Sequence, residues 1–547
     1  MMNAATTTRT TVREATLDLL RELGMTTVFG NPGSTELPFL DRWPSDFHYV
    51  LGLQEASVVG MADGYARATG RCAFVNLHSA AGVGHALGNL FTSYRNGAPL
   101  VITAGQQTRS LLSNLPFLGA TDAAQFPKPY VKFSIEPARA EDVPAAIAQA
   151  HRIAMQRPYG PTFVSIPSDD WSVACQHVTP RAWFPDTAPD PAALEQAAKA
   201  IAAARRPVLV VGPDVDAEGA GPAMVALAER IGAPVWTSPF SSRLSFPEDH
   251  PLFAGHLHAA PHQVSDTLIG HDLVLVIGAP VFTFHVPGDC ALFRSGIPII
   301  QMTTDAESAS SAPAGTAILG SLRHGLPALT ALLPADGRAL PAPRPRPAPP
   351  AASTPVSAPY ALHRLHAAMP RDAILVEEAP SHRPAMQQQM PIREWGGFFT
   401  MASGGLGYGL PAAVGVALAS RGRRVACLIG DGSFMYSPQA LWTAVQEKLP
   451  LAVIVMNNSG YGAMRSFSRV LQVRDAPGID LPGIDFVSVA RGMGCPARAV
   501  GTPEELDAAL AEAMAADGPM LVEVALDTAV ATLYDKPIDN KPTGNKH

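Results

Sequence analysis

Residues 423–429 read RRVACLI and run straight into Gly430-Asp431-Gly432-Ser433; after a helical stretch near 439–447 come LAVIVM at 451–456 and then Asn457-Asn458-Ser459-Gly460. Two short aliphatic runs separated by a helix-length segment make one βαβ unit. A right-handed crossover returns the second strand parallel to the first, which sets Asp431 and Asn458 at the same carboxyl edge. A carboxylate and an amide oxygen converging there suit a hard cation such as Mg²⁺, whose octahedral shell is completed by phosphate oxygens and water. Gly430 and Gly432 let backbone approach an anion closely, and the start of the following helix offers unsatisfied N–H groups. G-D-G alone is also an ordinary strand-end turn. The N-N pair placed one crossover later makes a metal-diphosphate site the better reading. No G-x-x-x-x-G-K-[ST] occurs, and GGLGYG at 404–409 is followed by Leu410 where a G-x-G-x-x-G fingerprint needs its last glycine. Neither a P-loop nor a Rossmann dinucleotide site is indicated.

The same alternation continues outward. Apolar runs at 72–77, 100–104, 207–211 and 273–277 are separated by alanine-rich stretches of helical period, which predicts an α/β fold of mostly parallel sheets with helices on both faces. Ligands in such sheets sit beyond the carboxyl ends of the strands. A Pro-rich linker at 341–359 and a weaker Pro-rich break at 176–191 divide the chain near 1–180, 190–338 and 360–547. The 547 residues fit that division at about 100–200 residues per domain.

With 47% hydrophobic and 16% charged residues, and 40 Lys+Arg against 47 Asp+Glu, the chain lacks the electrostatic footprint of a nucleic-acid or anionic-membrane binder. Small molecules and other subunits are the expected partners. Five scattered cysteines without a C-x-x-C pair suggest neither a disulfide framework nor a structural zinc site. The N-terminal residues read as the first helix of the fold, and no apolar run approaches the roughly 18 residues of a membrane span. A cytoplasmic protein is expected.

These motifs, together with GNPGSTELPFL, LQEASVVGMADGYARATG, NLHSAAGVGHALGNL and SGGLGYGLPAAVG, resemble the thiamine-diphosphate-dependent 2-keto-acid decarboxylases and carboligases, and among them the benzoylformate decarboxylase family. The resemblance covers nearly the full chain. It implies a pyrimidine-binding domain, a middle domain and a diphosphate-binding domain in that order, with the thiamine-diphosphate-binding fold in the first and third. The implied reaction is non-oxidative decarboxylation of an aryl 2-keto acid to aldehyde and CO₂. A carboligase or lyase of the benzaldehyde lyase or acetolactate synthase kind is the alternative, and Ser34, both histidines below and the lack of an evident flavin motif argue against it. A non-catalytic cofactor-binding protein is disfavoured by Glu55 and the intact metal motif.

Taken residue by residue, Glu55 alone could be a helix N-terminal glutamate favouring the macrodipole. The resemblance makes it the carboxyl that bonds the cofactor pyrimidine. His78 and His285 each follow a strand-like run and would otherwise be core histidines; the resemblance makes them the proton-transfer groups, a task imidazole suits near neutral pH. Ser34 in N-P-G-S is otherwise a helix N-cap, and by resemblance it holds the substrate carboxylate. Leu406, otherwise a core leucine, matches the residue that props the cofactor into a V shape. The resemblance also assigns Ser381, Gly404, Gly432, Ser433 and Tyr461 to the cofactor, and Asp431, Asn458 and Gly460 to Mg²⁺, with Ca²⁺ as a substitute. Leu118, Pro380, Ala463, Met464 and Phe467 join Ser34 around the substrate, although the last three equally fit a helix face packed on a core. Pro380 stands where a hydroxyl residue is usual, and Thr400 and Met401 where relatives carry an aromatic residue and a cysteine, which bears on the acyl group. A homo-oligomer, at least a dimer and by preference a tetramer, is implied.

Overall fold

The computed structural model describes residues 10–334, 342, 344, 345, 347–529 and 533. Three six-stranded sheets, every strand parallel to its neighbours, carry the fold. In spatial order the first is His48–Leu51, Thr27–Gly30, Ala73–Leu77, Leu100–Gln106, Thr162–Pro167 and Phe133–Ile135. The middle sheet is Phe253–His256, Val235–Thr237, Pro207–Val211, Leu273–Ile277, Ile299–Thr303 and Thr316–Leu319. The last is Phe398–Thr400, Ile374–Glu378, Val425–Gly430, Leu451–Asn457, Met520–Ala525 and Ala497–Val500. The aliphatic runs form these strands because a parallel strand is buried on both faces and needs no polar alternation.

Each sheet switches once from growing toward one edge to growing toward the other, and in the first and last sheets the final strand is then inserted inside the strand before it. The reversals lie between Thr27–Gly30 and Ala73–Leu77, between Pro207–Val211 and Leu273–Ile277, and between Ile374–Glu378 and Val425–Gly430. A crevice opens beyond the carboxyl ends of strands at such a point. One departure from parallel pairing is the antiparallel pair Thr10–Thr11 and Ala174–Cys175, which joins the two ends of the first domain. It leads into the helix Val12–Glu22, whose start is fixed by a capping box of Thr11 and Glu14.

The first and last sheets share a core. Helices Glu55–Thr69 and Gly409–Ala419 lie against each other within one buried cluster, so close that a Cβ at Gly64 would collide with the Ala412 carbonyl and one at Gly415 with the Met61 carbonyl. At the end of the first of these helices, buried Arg67 donates to the Tyr408 hydroxyl at 2.7 Å, the Thr400 carbonyl at 3.0 Å and the Ser242 carbonyl at 2.8 Å. Tyr408 in turn donates to Asp63 at 2.7 Å. All three sheets' domains meet in this one polar knot. Removing a partner from a buried charged network typically costs about 3–5 kcal/mol, so Arg67 holds the three together.

The five cysteines are free and buried. Among the described residues no helix is long and apolar enough to cross a membrane. The described part of the Pro-rich stretch carries no helix or strand before Ala358–Ala368; residues 341, 343 and 346, like residues 1–9, lie outside the described set.

Candidate active site

At the reversal point of the last sheet, Val425–Gly430 passes directly into the four-residue helix Asp431–Phe434. The longer helix of that crossover is Ala440–Gln446. Asp431 is 3% exposed; one carboxylate oxygen accepts the Gly432 N–H at 2.7 Å and the other the Gly460 N–H at 2.9 Å. A single carboxylate therefore ties the two motif loops together, and burial pushes its pKa up. The two asparagines divide their work. Asn457 donates to Glu523 at 2.7 Å and accepts the Ser459 N–H at 2.9 Å, while buried Asn458 faces a cavity. Arg465, paired with Asp480 at 2.7 Å, fixes the Asn458 and Ser459 carbonyls. Gly432 has no room for a Cβ against the Tyr461 ring, and Gly460 has φ +156° with the Ile479 carbonyl 2.6 Å from where a Cβ would be.

The cavity holds about 870 Å³ between the middle and last domains, within the size range of small-molecule sites. It is lined by Pro380, Ser381, Gly404, Leu406, Asp431, Gly432, Ser433, Asn458, Gly460, Tyr461, Ala463, Met464 and Phe467, and by His285 from the middle domain. The last three of that first group lie on the helix Gly462–Val470, the face suggested by their spacing. Ser381 Oγ accepts the Ala463 N–H at 2.9 Å, joining the strand end to that helix. The Leu406 loop is held from below by fully buried Glu378, which accepts the N–H groups of Gly407 at 2.7 Å, Tyr408 at 2.8 Å and Gly409. Burial pushes Glu378 up to about 7 against the pull of those three N–H groups.

His285 sits edge-on between two aromatic rings, Phe240 at 5.7 Å and Phe467 at 4.7 Å between centroids. Burial lowers its pKa. Phe240 has φ +56°, a conformation a bulky side chain adopts only under compulsion from its surroundings.

The remaining candidates belong to the first sheet's edge, and none of them lines this cavity. His78 follows Ala73–Leu77, and its Nδ1 lies 2.8 Å from Glu36 and 3.1 Å from the Thr35 hydroxyl. Glu36, 1% exposed, also accepts the N–H groups of Gly33 and Gly105 at 2.9 Å. The histidine is thereby oriented by a fixed carboxylate. Glu55 opens the helix Glu55–Thr69, with Gln54 as the capping residue, and its carboxylate lies 3.0 Å from Nδ1 of His85. Ser34 is exposed, and Leu118 is half-buried with φ +61°, its carbonyl accepting the Ser79 hydroxyl.

The sequence matches three family profiles: the N-terminal TPP binding domain of thiamine pyrophosphate enzymes over residues 10–126, their central domain over 194–329, and their C-terminal TPP binding domain over 379–524. The chain belongs to the thiamine pyrophosphate enzymes. Among its relatives is the benzoylformate decarboxylase of Pseudomonas aeruginosa, 47% identical over 95% of this chain and 99% of that one. The crystal structure of benzoylformate decarboxylase from Polynucleobacter necessarius superimposes with a TM-score of 0.93 at 41% identity, covering 95% and 99% of the two chains. A thiamine diphosphate-dependent 4-hydroxybenzoylformate decarboxylase of Rhodococcus jostii gives a TM-score of 0.91 at 44% identity over 95% and 100%.

In this thiamine pyrophosphate enzyme the strand-end residues are legible in the sequence, while the residues that hold them, Glu36, Glu378, Arg465 and His85, are not. Glu36 follows the N-P-G-S turn and Glu378 ends an aliphatic strand, so a carboxyl placed beside a strand terminus was the available signal.

Proposed function

We propose that this chain is a non-oxidative decarboxylase that converts an aryl 2-keto acid of the benzoylformate kind to its aldehyde and CO₂. The observation that carries this reading is the single cavity in which the Asp431–Asn458 edge, the apolar wall of Ala463, Met464 and Phe467, and the imidazole of His285 meet. Relatives of 41–47% identity that bear the same activity in their names support it.

The residues fit thiamine diphosphate and a divalent cation. Asp431 contributes one carboxylate, Asn458 an amide oxygen and Gly460 a backbone carbonyl. No cluster of three or more His, Cys, Asp or Glu that could hold a metal occurs among the described residues. A donor set so poor in protein charge suits Mg²⁺, with Ca²⁺ as a substitute, because these cations complete their shells with phosphate and water. Ser381, Gly404, Gly432, Ser433 and Tyr461 would line the space for the cofactor, and Leu406, in the loop held by Glu378, would pack against it. Bound thiamine diphosphate supplies the electron sink for carbon–carbon cleavage. Glu55 holds a proton at the pyrimidine nitrogen. Ser34 donates to the substrate carboxylate, and His78, oriented by Glu36, gives a proton to the carbonyl oxygen. His285 gives a proton to the carbon that has lost CO₂ and takes part in release of the aldehyde. Leu118 and Pro380 close the substrate pocket.

Because Ser34, Glu55 and His78 do not line the cavity of their own chain, the complete site takes them from a second copy. Exposed apolar side chains on the same domain, Leu37, Leu53, Leu115 and Phe117, support a surface that is covered by another subunit. A dimer is the minimum, and a tetramer formed from two such dimers is the assembly proposed. Five buried thiols suit a reducing compartment, the cytoplasm. The test is direct: purified protein with thiamine diphosphate and Mg²⁺ is given a panel of aryl and aliphatic 2-keto acids. Stoichiometric CO₂ and aldehyde from benzoylformate are expected, and absence of CO₂ from every aryl member overturns the reading.

A further inference from the structure

Glu36 and Glu55 follow neighbouring strands of the first sheet, and their carboxyls are held in opposite ways. Both oxygens of Glu36 are engaged by backbone, through the N–H groups of Gly33 and Gly105, and the Thr35 hydroxyl adds a bond at 2.7 Å. There a fixed carboxylate orients the imidazole of His78. Glu55 accepts no backbone N–H among the described residues, because Gln54 takes the capping N–H of Ser57 at 3.1 Å. The partner of its carboxyl is His85, whose Nδ1 lies 3.0 Å from Oε2. Here an imidazole holds the carboxyl.

The imidazole stands on a firm support. Gly82, His85 and Asn89 fall three and four residues apart on the helix Ser79–Asn96 and share one face. From that face Asn89 donates to the Ala56 carbonyl at 2.7 Å, beside Glu55, which ties the two helices together at a second point. Gly82 keeps the other side open. A Cβ there would lie 3.1 Å from Glu55 Oε1, so the glycine leaves that oxygen its space. One oxygen of Glu55 is thus tied and the other is left clear. A glutamate side chain turns about several bonds, whereas a group that serves a reaction is useful only in a narrow range of positions.

We propose that His85 is a positioning residue for Glu55: donating from Nδ1 to Oε2, it turns Oε1 toward the pyrimidine nitrogen of the cofactor. The proposal rests on the reading of Glu55 given above, and it adds which oxygen serves that nitrogen and what holds it there. A neutral imidazole with its proton on Nδ1, or an imidazolium, makes this bond. The side-chain amide of asparagine offers a donor in its place, while leucine supplies bulk without one. His85 is exposed in the single chain, so neither substitution removes core.

The full-length protein with thiamine diphosphate and Mg²⁺ is compared as wild type, His85→Leu and His85→Asn. Calorimetry reads cofactor affinity, and proton NMR reads exchange of the cofactor's C2 hydrogen for deuterium. In His85→Leu exchange should slow by about 10²-fold, the effect of misplacing a group by about 1 Å, with affinity unchanged because the metal and diphosphate end is untouched. His85→Asn should recover most of the exchange. A merely structural role would weaken affinity and would not tell asparagine from leucine. Wild-type exchange in His85→Leu, or equal loss in the two variants, overturns the proposal. A further readout needs no cofactor: in ¹⁵N-histidine spectra of the unloaded protein, the signal that His85→Asn removes should show a protonated Nδ1 and should shift in Glu55→Ala. A bare Nδ1 contradicts the proposal. Exchange requires no substrate, so a wild type that exchanges deuterium but decarboxylates no keto acid refutes the decarboxylase reading alone and leaves the three forms to be compared.

Discussion

The first and last sheets follow one plan: the same spatial order of strands, the same reversal, and candidate residues placed just beyond the same strand ends. Their edges differ. In the last domain the edge opens into a cavity closed by the middle domain and presents glycine, serine, one aspartate and one asparagine. In the first domain it faces outward and presents titratable pairs, Glu36 with His78 and Glu55 with His85. Nearby, Leu115 and Phe117 are 89% and 86% exposed. On the proposed reading, one architecture yields a binding half made of small residues and backbone N–H groups and a proton-handling half made of imidazoles and carboxyls, neither sufficient alone.

The sharpest way to break that division is through the binding half. Asp431→Ala removes an oxygen ligand and the tie between the two motif loops, so metal-dependent affinity for thiamine diphosphate should fall by more than the about 10–100-fold that loss of an outer-shell partner costs. Calorimetric titration reads this, and wild-type affinity would contradict it. In the proton-handling half, His78→Ala should retain cofactor binding while kcat falls by about 10²–10⁴-fold. His285→Ala should fall as far but at another stage, releasing one CO₂ per site in a rapid burst and then stalling before aldehyde. Identical single-turnover traces for the two variants would show that the histidines do not divide the steps.

A smaller effect concerns the carboxyl under the Leu406 loop. The pKa of Glu378 is raised in the folded protein, from an ordinary 4.5 to about 7, so the folded state binds its proton more tightly than the unfolded one. The stability it contributes is full below pH 4.5 and is lost as pH rises toward 7. Glu248 and Asp214, pushed up to about 8 and about 7, act in the same direction. Denaturation of Glu378→Gln followed across pH 4.5–7 should show a smaller decline in stability than wild type; an equal decline would remove Glu378 from the account. The mildest change is Phe240→Gly. Relief of the left-handed backbone should stabilise the middle domain by about 1 kcal/mol, while loss of the ring beside His285 lowers kcat. Unchanged kcat would leave that aromatic contact without a role.

Much of this was legible in the sequence because it is local. The runs at 207–211 and 273–277 are strands over those same residues, since a doubly buried strand needs only a short aliphatic stretch. G-D-G and N-N converge because one crossover has one hand. What escaped depends on contacts between distant segments. Arg67 meets Tyr408 and Ser242 only after three domains pack. His85, within the helix Ser79–Asn96, meets Glu55 at the start of the helix Glu55–Thr69 only because the strand Ala73–Leu77 between them brings the two helices side by side.

The composite site is the central claim, and mixed oligomers test it most directly. Glu55→Gln and Asp431→Ala subunits, each inactive alone, are combined under conditions where native mass spectrometry shows exchange. If each site joins Glu55 of one copy to Asp431 of another, half of random dimers hold one intact site, and about a quarter of wild-type activity should return. Exchanged dimers that remain inactive would contradict the account.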